Sequence, residues 1–317
     1  MDVLSEVLRA VKLRGALFFN AELTAPWYLN EPSSAEIAPS LGAGAGHVAL
    51  YHFLLEGRAF ARMPGLPQVN LSAGDIVVVP HGDAHGLGNG WPEKPVNAIK
   101  AFSKNLKDGL KLVRFGGGGD VTKLVCGYMV FDSKLSEVFL SGLPSLMKVR
   151  VTDGPSGEWL KNSIRFSVGD DGPEDAGGDL VIAKLSEVLF IETLRRYISS
   201  LPPEDRGWLA GARDPGIGQA LALMHAEPAS QWTIANLARR TGMSRTRLAE
   251  RFHYFLDDSP MAYLTKWRLK LGAEMLTSGE ESVAQVAATV GYGSEATFNR
   301  AFKREYGLPP AKYRRQR

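Results

Sequence analysis

The chain has 317 residues, 44% hydrophobic and 22% charged, with a net charge of +3. That length allows two domains with proper cores, and the composition excludes a disordered or fibrous chain. No apolar run reaches the roughly 20 residues of a membrane span, the acidic start MDVLSEVLRA lacks a signal-peptide core, and the lone Cys126 excludes an internal disulfide, so the cytoplasm is the expected compartment.

In chain order, residues 1–15 read as an amphipathic helix, with Val3, Leu4, Val7, Leu8 and Val11 apolar. The period then changes. From Ala16 to about Asp132, short β-type runs alternate with Gly, Pro and Asn turns: HVALYHFLLEG, QVNLSAGDIVVVP, NAIKAF and KLVCGYMVFD. This spacing predicts a β-barrel or sandwich. Residues 134–147 look helical with a break at Leu143-Pro144, and residues 159–168 predict another helix. An acidic Gly/Pro-rich loop, GDDGPEDAGG, separates these from a strongly helical segment, residues 179–200. Its apolar residues Val181, Leu185, Val188, Leu189, Leu194 and Ile198 exceed what one packing face needs, which predicts a homodimer helix; the alternative is packing against the β region alone. Residues 201–215, with Pro202-Pro203 and Gly211, read as a linker.

The last third contains one pattern written twice. TIANLARRTGMSRTRLAERF begins at Thr233, and SVAQVAATVGYGSEATFNRAF begins at Ser282. Each copy opens on a hydroxyl suited to an N-cap, places a glycine nine residues later (Gly242, Gly291), and presents a second capping serine (Ser244, Ser294). Each closes on Leu248 and Phe252, or on Phe298 and Phe302, at helical spacing. A short helix, a glycine turn and a second helix make a helix-turn-helix. The second copy carries one extra turn residue, Gly293, so the two turns should not superpose fully. Between them, PMAYLTKWRLKLGAEML predicts a spacer helix about 25 Å long, which could hold two recognition helices for successive major grooves, roughly 34 Å apart on B-DNA.

On the first recognition helix Arg245, Thr246, Ala249 and Glu250 should point outward, with Arg247 flanking; on the second, Glu295, Ala296, Thr297, Asn299 and Arg300. An arginine here could read guanine or hold phosphate. Residues 214–317 carry a net charge of +5, against −2 for the rest, and a mildly basic unit suits phosphate contact.

Residues Pro260, Tyr263, Trp267-Arg268-Leu269, Val286-Ala287, Gly291-Tyr292, Phe298, Phe302-Lys303 and the run from Gly307 to Arg314 closely resemble the DNA-binding domain of AraC/XylS-type transcription regulators. The resemblance covers about 100 residues. It implies double-stranded DNA as partner, base-reading residues among the outward sets above, a dimer, and RNA polymerase as a further partner.

A second resemblance lies upstream. Gly74, Pro80, Gly82, His85 and Asn89 fit the spacing of the second cupin signature. A cupin is a small β-barrel that often holds a metal or small ligand. The first signature departs from the pattern: Leu50 stands where its glutamate belongs. His52 lies two residues on, so strand alternation gives it the same face, and His47 could supply part of the missing pair. With His85, the residues His52, His81 and Cys126 could complete a ligand set for a divalent metal such as zinc. The competing readings are hydrogen-bonded histidines and a small buried thiol.

The expectation is an α+β multidomain chain. Residues 1–200 form a cupin β-barrel sensor with dimerisation helices, 201–214 a linker, and 215–317 an all-α domain with two helix-turn-helix motifs. The expected function is a non-catalytic, one-component transcription regulator whose cupin domain senses a small molecule, metal or oxidant. The alternative is a metal-dependent cupin dioxygenase or isomerase carrying a DNA-targeting domain; against it, the sequence shows no paired catalytic carboxylates and no nucleophile with a base.

Overall fold

A computed structural model describes residues 3–10, 13–41, 47–93, 96–97, 112–131, 140–168 and 178–315. The chain divides into two compact units: Leu13–Asp132 with Leu143–Ser200, and Met1–Lys12 with Ser133–Gly142 and Leu201–Arg317.

The first unit is built on strands β1 (Leu13–Thr24), β2 (Trp27–Glu31), β3 (His47–Glu56), β4 (Arg58–Arg62), β5 (Val69–Ser72), β6 (Asp75–Val79), β7 (His85–Asn89), β8 (Val96–Asn97), β9 (Val113–Gly116), β10 (Val121–Phe131) and β11 (Met147–Arg150). They form two sheets, in the orders β11-β6-β3-β10-β1-β9 and β5-β4-β7-β2-β8. Inward residues of both sheets share one core: Phe19 and Leu23 of β1, Leu29 of β2, Leu50 and Leu54 of β3, Leu87 of β7 and Leu124 of β10. Where a closed barrel was expected, no ladder among the described residues joins the two sheets, so the architecture described is a two-sheet one.

Strands β3 and β6 are buried along almost their whole length on both faces, as continuous apolar runs require. After the last strand the unit adds helices α3 (Gly154–Ser167) and α4 (Gly178–Ser200). Helix α4 packs on β1, β10 and β11, and α3 packs on α4. The Tyr51 hydroxyl of β3 meets the Ser186 hydroxyl of α4 in a buried hydrogen bond. Gly127 makes room for this tyrosine, since a Cβ there would lie 2.1 Å from the Tyr51 oxygen.

Several elements differ from expectation. The first helix, α1 (Val3–Ala10), ends early and β1 begins at Leu13. The alternating burial of Leu17, Phe19, Ala21 and Leu23, with a bulge between Leu17 and Phe19, is a strand period that overrides helix continuation. A helix not foreseen, α2 (Ser34–Leu41), interrupts the strands. Met147 opens β11, antiparallel to β6, rather than ending a helix; residues 134–139 of that expected helix lie outside the described residues, as do 98–102 of the NAIKAF run and 169–177 of the acidic loop.

In the second unit, α1 packs on α6 (Pro215–Ala226). Within the stretch expected as linker, α5 (Trp208–Arg213) packs on α6 with Trp208, Leu209 and Ala210 buried. Asp214 caps α6 by accepting from the Gly216 and Ile217 amides, and its other oxygen pairs with Arg251. Then come α7 (Ile234–Arg240), α8 (Arg245–Leu256), α9 (Pro260–Ser278), α10 (Val283–Thr289), α11 (Glu295–Tyr306) and α12 (Pro310–Arg314). Thr233, Ser244, Ser259, Ser282 and Ser294 each cap the following helix through the side-chain oxygen, satisfying amides that a helix start leaves unpaired. Gly242 and Gly291 adopt φ of 66° and 89°, which the turns between α7 and α8 and between α10 and α11 require. Leu248, Phe252 and Phe255 face inward from α8, and Phe298 and Phe302 do so from α11.

Candidate functional site

The polar centre of the first unit arises from two cross-strand pairs. In β2 burial alternates, so Trp27, Leu29 and Glu31 face the core. Glu31 pairs in register with His85 of β7. In the other sheet, His52 of β3 pairs in register with Cys126 of β10. The facing sheets bring the two pairs together: His52 Nε2 lies 2.7 Å from His85 Nε2, and Glu31 Oε2 lies 3.5 Å and 3.6 Å from those two nitrogens. Cys126 Sγ lies 2.8 Å from the opposite ring nitrogen, His52 Nδ1.

Hydrogen-bond partners fix the protons. His85 Nδ1 lies 2.9 Å from the Asp83 carbonyl, which only accepts, so that nitrogen carries the proton and His85 Nε2 is an acceptor. His52 Nε2 must then donate to it, leaving His52 Nδ1 to accept from the Cys126 thiol. Burial drives each group the same way. It pushes the Glu31 carboxyl up to about 8, lowers His85 to about 4 and His52 well below the usual histidine range, and raises the Cys126 thiol. Burial thus favours the uncharged form of all four groups. Both Glu31 oxygens are buried without a hydrogen-bond partner, an expensive arrangement unless something completes it.

The donor set fits a metal ion: Glu31, His52 and His85 each offer a ligand atom, all within 4.8 Å of one another. Two imidazole nitrogens and a carboxylate oxygen suit zinc or another divalent transition metal. A cavity of about 330 Å³, lined by Tyr28, Asn30, Arg62 and His85 among others, adjoins the cluster.

The structure thus gathers His52 and His85 and sets Cys126 behind His52 rather than beside the facing Nε2 atoms. His81 does not join them; its Nε2 donates to the Leu143 carbonyl at 3.0 Å. His47 Nε2 likewise donates to the Pro80 carbonyl at 2.6 Å. Leu50, where the first signature expects glutamate, is a core residue. The carboxylate comes instead from Glu31. Its one sequence signal is that it continues the inward alternation of WYLNE.

In the second unit Arg245, Thr246, Arg247 and Glu250 are exposed on α8, and Glu295, Thr297 and Arg300 on α11, while Asn299 is half-buried. Thr297 and Asn299 are engaged along their own helix, with Ser294 and Glu295 respectively. Beside α11 runs a groove of about 400 Å³ lined by Arg268, Tyr292, Arg300 and Arg304 among others, which sequence reading missed because Arg268 lies on the spacer helix α9. Arg268 also donates to the carbonyls of Pro228 and Ser230, tying α9 to the chain before α7.

Two family models match the chain: one described as Cupin over residues 2–199 and one described as Helix-turn-helix domain over residues 237–316. A Streptomyces lividans protein named as an AraC-like transcription regulator is 29% identical over 316 residues, spanning 99% of this chain and 98% of its own. The HTH-type transcriptional regulator AlkR of Acinetobacter baylyi is 29% identical over 321 residues, 100% of both chains. The RCS-specific HTH-type transcriptional activator RclR of Escherichia coli is 28% identical over 315 residues, 99% of this chain and 97% of its own. A cupin unit and a helix-turn-helix unit in one chain define a regulator that carries its own DNA-binding part. The chain belongs to the AraC-like transcription regulators with an N-terminal cupin domain. Among the described residues no helix is long and apolar enough to cross a membrane.

Proposed function

We propose that the cupin unit is a metal-dependent sensor, non-catalytic, that controls DNA binding by the helical unit in the cytoplasm. The observation that carries this reading is the buried Glu31 carboxyl, unpartnered and facing the Nε2 atoms of His52 and His85. Glu31, His52 and His85 would hold the metal, which supplies positive charge to a site where the chain's own groups are neutral. Holding it through both Nε2 atoms requires the His52 proton on Nδ1, where it faces Cys126. Cys126 is then a positioning residue for His52 and the soft group through which an oxidant could act. The adjoining cavity, with Arg62 at its edge, gives a small effector a route to His85.

In the helical unit, α7–α8 and α10–α11 act as two helix-turn-helix motifs. Arg245, Thr246, Arg247 and Glu250 face one major groove; Glu295, Thr297, Asn299 and Arg300 face the next. Arg268 and Arg304 supply phosphate contacts. The full chain acts as a homodimer through α4, where Leu180, Val181 and Val188 are exposed, while Leu189 and Leu194 are core. RNA polymerase is the further partner at the promoter. Two histidines and one carboxylate are also the donor set of non-haem iron oxygenases, so turnover by the iron-loaded chain is the mark of the enzyme alternative.

The test is elemental analysis of the purified full chain together with operator binding. Stoichiometric metal is expected, lost in Glu31→Gln and His85→Ala and kept in His81→Ala, with operator affinity changing when metal is removed. A metal-free wild type whose operator binding ignores both substitutions would sink the sensor reading.

A further inference from the structure

The helical unit holds a second cavity, of about 870 Å³, walled by α5, α8 and α9. Its floor is aromatic: Trp208, Tyr263 and Trp267 line it. These rings form a near-parallel stack through His225. The His225 plane lies within 7° of Trp208, 18° of Tyr263 and 20° of Trp267, and its centroid is 3.9 Å from that of Trp267.

The stack has a deficit of acceptors. Trp208 Nε1 can only donate, and it donates to the Tyr263 hydroxyl at 2.9 Å. Tyr263 therefore directs its own proton to His225 Nε2, 2.8 Å away. His225, a neutral imidazole because of its burial, then carries its proton on Nδ1. That Nδ1 has no hydrogen-bond partner, and neither has the indole nitrogen of Trp267, itself 3% exposed. Two buried N–H groups in one stack thus lack an acceptor, and unsatisfied buried donors are costly.

The rim is charged in both signs. Lys266 is held by Asp258 at 2.7 Å, and Arg206 sits 4.5 Å above the Tyr254 ring. Such a rim selects by shape and hydrogen bonding more than by net charge. The volume falls in the range of small-molecule sites, which are mostly apolar with a few convergent polar groups.

We propose that this cavity binds a flat aromatic carbonyl or carboxylate compound of one or two rings. The ligand's ring extends the aromatic stack, and its oxygen accepts the Trp267 N–H, which binding uncovers by a local shift of the cavity wall. The site is separate from Glu31, His52 and His85 and does not depend on how they are read. A ligand here touches α8, the helix that carries Arg245 and Arg247, and so provides an input to DNA binding within the helical unit itself.

The test uses the full-length protein with indole-3-carboxylate as probe and indole, which lacks the acceptor group, as control. Binding is followed by calorimetry and ligand-observed NMR. Wild type should bind the carboxylate about tenfold more tightly than indole, the effect of one hydrogen bond to a buried donor. Trp267→Phe, which keeps a ring but removes the N–H, should erase that preference. Leu256→Trp, at a half-buried position of the cavity wall, should block both compounds and keep the wild-type melting temperature. Glu31→Gln should change neither. The proposal is overturned by a wild type that binds neither compound saturably, by a wild type without the carboxylate preference, by unchanged binding in Leu256→Trp, or by loss of binding only in Glu31→Gln. Should Trp267→Phe fail to fold, the wild-type preference and the Leu256→Trp result still decide.

Discussion

The two units place their polar groups in opposite ways. The cupin unit hides Glu31, His52, His85 and Cys126 inside a two-sheet core, where burial favours the uncharged form of each. The helical unit turns its arginines outward and fills its interior with Phe252, Phe298, Phe302, Trp267 and Tyr263. Chemistry in the first is governed by desolvation, so a single added charge changes it greatly. Chemistry in the second is governed by screened charge and by the rigidity of helix pairs, so single changes act in smaller steps.

The largest way to sharpen this contrast is Phe298→Ala. Phe298 is fully buried against Phe302, Leu269 and Val286, so truncation should cost about 3–5 kcal/mol. Calorimetry should show the helical unit melting earlier while metal content stays constant; a parallel loss of metal would dissolve the distinction between the units. Next in size is the pH response of His225. Its folded-state pKa is depressed to about 3 from 6.5, so the unfolded chain takes up the proton first as pH falls. Stability of the helical unit is intact above pH 6.5 and should decline between 6.5 and 3 by as much as about 1.4 kcal/mol per pH unit. Denaturant titrations at several pH values should show this slope, and His225→Gln should flatten it.

Arg300→Ala comes third, with an expected loss of about 1–3 kcal/mol in operator affinity and locally relaxed specificity if it reads a base. Footprinting against a panel of single-base operator variants checks it, and uniform weakening across the panel would assign Arg300 to phosphate. The smallest effect is Ser282→Ala. It removes one half of a reciprocal cap, in which Ser282 Oγ accepts from the Gln285 amide and the Gln285 side chain accepts from the Ser282 amide. Its cost should be about 1 kcal/mol, read as a small drop in melting temperature.

The same contrast explains what the sequence reveals. Caps and glycine turns act within a few residues, so Thr233, Ser244, Ser282, Ser294, Gly242 and Gly291 could be read from their neighbours alone. The cluster of Glu31, His52 and His85 depends on register between strands far apart in the chain. His52 and His85 were accessible through alternation and motif spacing. Glu31 was not, because nothing near it in sequence says which strand lies opposite. His81 shows the converse: expected in the ligand set with His85, it turns its ring to the Leu143 carbonyl instead. The Pro/Gly composition of residues 201–215 likewise concealed α5, whose Trp208 is held by Tyr263, a residue from a later helix. In α4 an excess of apolar residues was legible but not its partition: Leu189 is core, whereas Val181 and Val188 are exposed.

One placement in β3 has a mechanical meaning. Tyr51 and His52 are consecutive, and consecutive side chains of a strand leave it on opposite sides. His52 reaches inward to Cys126 and His85, while Tyr51 reaches the Ser186 hydroxyl of α4. The strand therefore sets one side chain in the core and the next against α4. Because β3 is hydrogen-bonded to β10 on one edge and to β6 on the other, the imidazole in the core and the phenol at α4 are held at a fixed spacing across a single peptide link.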